Sequence, residues 1–337
     1  LFQILRVPAG SMQDACDYMR IICCGTVFVF GYNAVCSVMK GLGDSKSSLY
    51  FIAAAAVVNI LLDLLLVGPF GMGTAGAAYA TVFSQGISLA ISICCLRRKT
   101  FIFPFRLKNF AVQPEKMAAV LKVGLPTAVQ MAVVNISYLM ITGMLNKFGV
   151  SVAAASGVGL KVNTFAGMPC WAVGQAVTAM AGQNMGAGRT DRVKKTTETG
   201  LRLNLLITLM AVVLVQLFAG QIIMLFEPQN KEVIADGILY LRICCGINSL
   251  VYAALYTFDS FAIGIGAANI AMVNALLDAA VVRLPVSWLL AFTAGMGFPG
   301  VYVGQALSPL LPFLVGWLYF KNKGWESKRL IQPADHT

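Results

Sequence analysis

Apolar residues run in long blocks along this chain, and polar residues gather in short clusters between them. The blocks fall at about 17–39, 48–68, 74–96, 118–146, 151–181, 199–226, 234–263, 268–293 and 297–320. Each is near or above the roughly 20 residues a helix needs to cross a bilayer. Membrane strands would be shorter and would alternate apolar with polar positions. A stretch such as "FIAAAAVVNILLDLLLV" (51–67) does not alternate. The pattern predicts an all-α polytopic membrane protein with nine spanning helices.

The polar punctuation repeats itself. "YMRIICCG" at 18–25 returns as "YLRICCG" at 240–246. Gly41 and Gly43 return as Gly264 and Gly266. Gly71, Met72, Gly73 and Gly76 return as Gly295, Met296, Gly297 and Gly300. Such a run of anchors indicates a tandem duplication. Six predicted spans separate Tyr18 from Tyr240, an even number, so the copies cross the membrane in the same direction. Parallel repeats of this kind mark secondary transporters, with the substrate site between the halves. The second copy opens near Met117, about 122 residues before Tyr240, whereas only 17 residues precede Tyr18. The expectation is therefore an N-terminally truncated chain, with two pseudo-symmetric six-helix lobes of which the first is incomplete. About nine of twelve transmembrane helices are present on this reading. Residues 1–96 form the end of the first lobe, 97–117 a cytoplasmic linker, 118–320 the complete second lobe and 321–337 a cytoplasmic tail.

Composition supports lipid as the main solvent. The chain is 58% hydrophobic and 12% charged, with a mean hydropathy of +0.77; soluble domains carry about 25% charged residues. The net charge of +11 does not call for nucleic acid, because its distribution has another cause. Seventeen of the 25 Lys and Arg sit near 40–47, 97–122, 189–195 and 321–329, and only Arg6, Lys147 and Lys231 in the intervening connections. That is the positive-inside bias. It places those loops and the C-terminus in the cytoplasm and the protein in the plasma (inner) membrane. The linker "RRKTFIFPFRLKNFAVQPEKM" is expected along the membrane surface, with Phe101, Phe103 and Phe105 towards the headgroups. The nine Cys contain no CxxC, and the three adjacent pairs read as small packing residues. The single His is His336, which argues against His-based metal sites and catalytic triads.

Several segments in order resemble the multidrug and toxic-compound extrusion family of transporters. They are "MKGLGDSKSSLYFIAAAAVVNILLDLLL", "GMGTAGAAYATVFSQ", "KVGLPTAVQ", "AAASGVGLKVNTFAGMP" and "GQAVTAMAGQNMGAGRTDRVKK". The resemblance covers nearly the whole chain. It implies antiport of amphiphilic organic cations or drugs against protons or sodium, with no cofactor, alternating access between two lobes and a monomer surrounded by lipid. It numbers the spans as family helices four to twelve, so the acid that many members carry on helix one is not among these residues. The sodium-coupled branch uses acids on helices seven and ten. Here helix seven has no Asp or Glu, only Asn135, and Asp259 of helix ten lies nearer the cytoplasmic end. Both departures weigh against sodium coupling through this lobe.

Ionisable groups within spans cost at least about 2.5–3.5 kcal/mol near the bilayer centre, so each is a candidate. Asp259 is the acid of the second lobe best suited to a proton or cation role. Lys161, with Asn163 nearby and Pro169 expected to kink the same helix, could tune the charge of a cavity or pair with Asp259. Gln130, Asn135 and Tyr138 offer polar handles on helix seven. Asn274 and Asp278 are four apart and share a helical face. Arg283 is five beyond Asp278, about 140° around an α-helix, so it is expected to bond another helix. Asn59 and Asp63 form a similar i, i+4 pair in the first lobe. A lipid-linked saccharide flippase is the alternative, but it needs a strongly cationic cavity and these spans offer chiefly Lys161 and Arg283. An intramembrane enzyme would need clustered carboxylates or His, and the spans hold no such motif.

Overall fold

The computed structural model describes residues 9–98, 113–246 and 248–327. Most of the linker, including Phe101, Phe103 and Phe105, and the end of the tail, including His336, lie outside the described residues. Among the described residues there is no strand. The helices form two compact units, Leu1–Ala111 and Val112–Thr337.

The first unit holds α1 (Ala9–Gly41), α2 (Ser45–Val67) and α3 (Gly73–Arg98). Helix α3 packs on both α1 and α2. The second unit holds α4 (Pro114–Leu145), α5 (Val150–Gly186), α6 (Thr190–Met224), α7 (Lys231–Cys244) and α8 (Asn248–Gly264). Then come α9 (Ala268–Leu276), a π segment (Leu277–Arg283), α10 (Leu284–Trp288) and a second π segment (Leu289–Thr293). It closes with α11 (Phe298–Leu307) and α12 (Leu310–Lys321). Helix α8 packs against α5, α6, α9 and α12, so its buried face is central to this unit.

Among the described residues, seven spans are long and apolar enough to cross a membrane: Met12–Gly41, Ser45–Val67, Gly73–Leu96, Pro114–Phe148, Thr190–Met224, Ala268–Thr293 and Phe298–Lys321. The pair α7 and α8, bent by 51°, supplies one more. Helix α5 has the length at 37 residues, but Lys161, Asn163 and several glycines leave it less apolar. It continues helical through Pro169.

Two spans expected to be single helices are broken. Residues 234–263 divide after Cys244, and residues 297–320 divide at Ser308–Pro309. Proline at 309 lacks the N–H that would carry the ladder on. At the first break, Gln216 Nε2 of α6 donates to the carbonyls of Leu241 and Cys245, each at 3.0 Å. Asn248 Nδ2 donates to the carbonyl of Cys244 at 3.1 Å. Irregular backbone at membrane depth needs partners of this kind, because lipid offers none. The paired cysteines divide too: Cys244 and Cys245 are buried packing residues, whereas Cys23, Cys24 and Cys94 are exposed.

The duplication is visible in the turns. Gly43 and Gly266 adopt φ of 85° and 80°; Gly71 and Gly73 adopt 61° and 54°, and Gly295 and Gly297 adopt 71° and 65°. Only glycine enters this left-handed region without steric cost. At Gly43 the N–H of the glycine bonds the carbonyl three back, and the next N–H bonds the carbonyl five back. The same two bonds recur at Gly188 and at Gly266. This is the Schellman stop, which satisfies the last carbonyls of a helix.

Candidate functional site

The second unit contains a connected group of buried polar side chains. Asp259 lies on α8 and is 6% exposed. Its Oδ1 accepts from Asn274 Nδ2 of α9 at 2.6 Å, and its Oδ2 from Gln130 Nε2 of α4 at 3.4 Å. Asn274 is fully buried. Both partners are neutral amides, and among the described residues Asp259 forms no ion pair.

One turn beyond Asn274 stands Asp278, in the first π segment. Its Oδ2 is 2.5 Å from Nη2 of Arg283, and both side chains are buried. The expected separation of the two side chains does not hold, for a definite reason. The 140° separation assumes α geometry. In a π turn the hydrogen bonds run from i to i+5, so the turn is wider and position i+5 comes back towards the face of i. The bond from the Leu284 N–H to the Ala279 carbonyl is of this type. The other half of the expectation holds, because Arg283 also bonds other helices. Its Nη1 donates to Ser137 Oγ of α4 at 2.9 Å, and its Nε to Ser308 Oγ at the α11–α12 break at 3.4 Å. Its guanidinium lies 4.5 Å from the centre of the Tyr138 ring, within cation–π range.

Other sequence candidates fall elsewhere. Lys161 is exposed on α5 and, among the described residues, forms no ion pair with Asp259. Asn163 is half-buried on the same helix. Asn135 is exposed and donates to the Met131 carbonyl of its own helix at 2.8 Å. In the first unit Asn59 and Asp63 are half-buried on α2, yet Asn59 Nδ2 and Asp63 Oδ1 have no hydrogen-bond partner among the described residues. The residues that sequence reasoning missed are Ser137 and Ser308. Neither carries a motif, and only three-dimensional packing brings them to Arg283.

The MatE family model matches residues 1–65 and 126–289, which include every member of this group except Ser308. The chain belongs to the MatE family. Members are membrane transporters rather than enzymes. A probable multidrug resistance protein of Bacillus subtilis, YpnP, is 31% identical over 331 residues, covering 98% of this chain and 73% of its own. A probable multidrug resistance protein NorM of Thermotoga maritima is 25% identical, over 95% of this chain and 69% of its own. Among solved structures, an outward-facing multidrug resistance MATE family transporter of the MOP superfamily superposes with a TM-score of 0.92. It is 20% identical and covers 98% of this chain and 74% of its own. At that identity the likeness concerns the fold, and it places this chain in the MatE architecture.

Proposed function

We propose that this MatE protein exports amphiphilic organic cations from the cytoplasm by antiport against protons or sodium. Asp259 is the carboxylate of the second lobe that takes the driving cation. The observation that carries this reading is an imbalance of buried charge. Two carboxylates lie in the group, Asp259 and Asp278, with one buried cation, Arg283. Arg283 pairs with Asp278, and Asp259 has amide partners only. A lone buried carboxylate within a membrane is costly and is relieved by a proton or a metal cation. Antiport needs a group that alternates between these two states. The multidrug resistance names of the relatives agree with an export role, and plasma-membrane residence follows from it. The flippase alternative is disfavoured by the same balance. Arg283 is neutralised by Asp278 and Lys161 is exposed, so the group offers no free buried cation to a pyrophosphate.

The test is ethidium efflux from vesicles carrying the full-length protein, under imposed proton or sodium gradients. Asp259→Asn keeps size and hydrogen bonding but removes the charge. It should cut gradient-driven efflux by about an order of magnitude at unchanged membrane expression. Efflux at the wild-type rate, with wild-type cation dependence, would remove Asp259 from the coupling step.

A further inference from the structure

The unusual feature of the group is how its ion pair is made. Asp278 and Arg283 are five residues apart, a spacing that α geometry separates by about 140°. They meet because residues 277–283 form a π segment. The cause lies just beyond it, at Pro285 of α10. Proline has no N–H, and in a regular α-helix its ring collides with the carbonyl four residues back, here that of Val281. Widening the preceding turn removes the collision. Proline thus sets the local register, and the register sets which side chain faces Asp278.

We propose that Pro285 and Arg283 are positioning residues for the coupling site. The proline-set π turn docks Arg283 on Asp278, so that Asp259 is the carboxylate of this group left to take a driving cation. This rests on the coupling role given to Asp259 above. Arg283 is well suited to a fixed rather than a switching role. It is held at once by Asp278, Ser137, Ser308 and the ring of Tyr138. An arginine stays charged under all conditions in proteins, so Asp278 always has a fixed cationic partner at hand. The titratable and charged groups facing Asp259 are few. They are Asp278 from the π segment and Tyr256 from α8 itself; Cys170 of α5 stands beside Tyr256, and Arg283 and Tyr138 of α4 lie on the far side of Asp278 with Tyr252. From α6 the nearby buried group is Asn204, bonded to Thr257; α12 presents Phe313 and Phe320 to Phe258. Of these, Asp278 is the one other carboxylate, so its neutralisation decides how many cations the group binds.

The experiment measures efflux against driving-cation concentration in vesicles with the full-length protein. Arg283→Gln releases Asp278, so the Hill coefficient for the driving cation should rise above the wild-type value, as it does when a second interacting site titrates. Arg283→Lys, which keeps the charge, should lie nearer wild type. Pro285→Ala lets the helix return to α register and should copy Arg283→Gln. Adding Val282→Arg and Arg283→Val to Pro285→Ala places the arginine four residues from Asp278, where an α-helix can pair it, and should restore the wild-type coefficient. Arg283→Gln decides the matter even if Pro285→Ala does not reach the membrane. A wild-type coefficient in Arg283→Gln would overturn the proposal. If Asp259→Asn still abolishes coupling in that case, the reading of Asp259 survives alone; if Asp259→Asn is silent, that reading is what failed.

Discussion

Close approaches between helices in the second unit are set by single glycines. Gly304 of α11 faces α10, and a Cβ placed there would come within 2.6 Å of the backbone N and Cα of Ser287. Backbone cannot turn aside as a side-chain tip can, so the helices would have to part. Gly143 of α4 has no neighbour within 4 Å of the same position. Gly304→Ala should therefore destabilise the protein by about 1–3 kcal/mol, the cost of overpacking a filled interior. Gly143→Ala should be neutral or slightly stabilising, because alanine is the better helix former. Thermal unfolding in detergent checks both, and equal melting temperatures for the two variants would contradict the packing seen at Ser287. None of this is legible in the chain, where Gly143 and Gly304 sit alike in apolar runs. The candidate charges were legible, since Asp, Asn and Arg stand out among apolar neighbours. Their partners were not: Asn274 reaches Asp259 across fifteen residues, and Gln130 across 129.

At the scale of elements, hydropathy located the helices well because a bilayer demands long apolar runs. It did not locate their breaks, because the sequence stays apolar across them. The break after Cys244 depends on a residue from another helix. Gln216 gives one amide hydrogen to the Cys245 carbonyl at the break and the other to the Leu241 carbonyl, which also accepts from the Cys245 N–H. Gln216→Leu has similar volume and no donor, so the Leu241 and Cys245 carbonyls would lose that partner. The loss should be about 1–3 kcal/mol for a buried unsatisfied group, seen as a lower melting temperature. Gln216→Asn is too short to reach and should resemble the leucine variant. Melting at the wild-type temperature in Gln216→Leu would mean that the break is satisfied by other means. The π segments escaped sequence reading for a related reason. Angular arguments at 100° per residue presuppose α geometry, and the one written warning was Pro285.

At the scale of the whole molecule, the remaining question is which end of the second unit faces the cytoplasm. Helix α5 ends at the Gly188 turn, α8 at the Gly266 turn and α12 just before Trp325. A single buried cluster joins these ends, with Ala181 of α5, Val193 of α6, Ile265 beyond α8, and Trp325. Trp325 is nearly inaccessible and packs edge-on to Phe261 with ring centres 5.0 Å apart. Arg189, Arg192, Lys194, Lys195, Lys321 and Lys323 therefore belong to one end of this unit. The connections between α4 and α5 and between α6 and α7 carry Lys147 and Lys231. The positive-inside rule predicts that the basic end, with the end of α12, faces the cytoplasm. Single cysteines in a background without native Cys test the assignment. Asn269 and Lys194 are exposed beside the two turns, whereas Ala268 is buried and unsuitable as a reporter. Asn269→Cys and Lys194→Cys should resist an impermeant thiol reagent in intact cells and react in inverted vesicles. Lys231 is exposed at the start of α7 and reports on the opposite end. Lys231→Cys should react in intact cells. Labelling of Asn269→Cys from outside, or of Lys231→Cys only from inside, would reverse the orientation derived from charge.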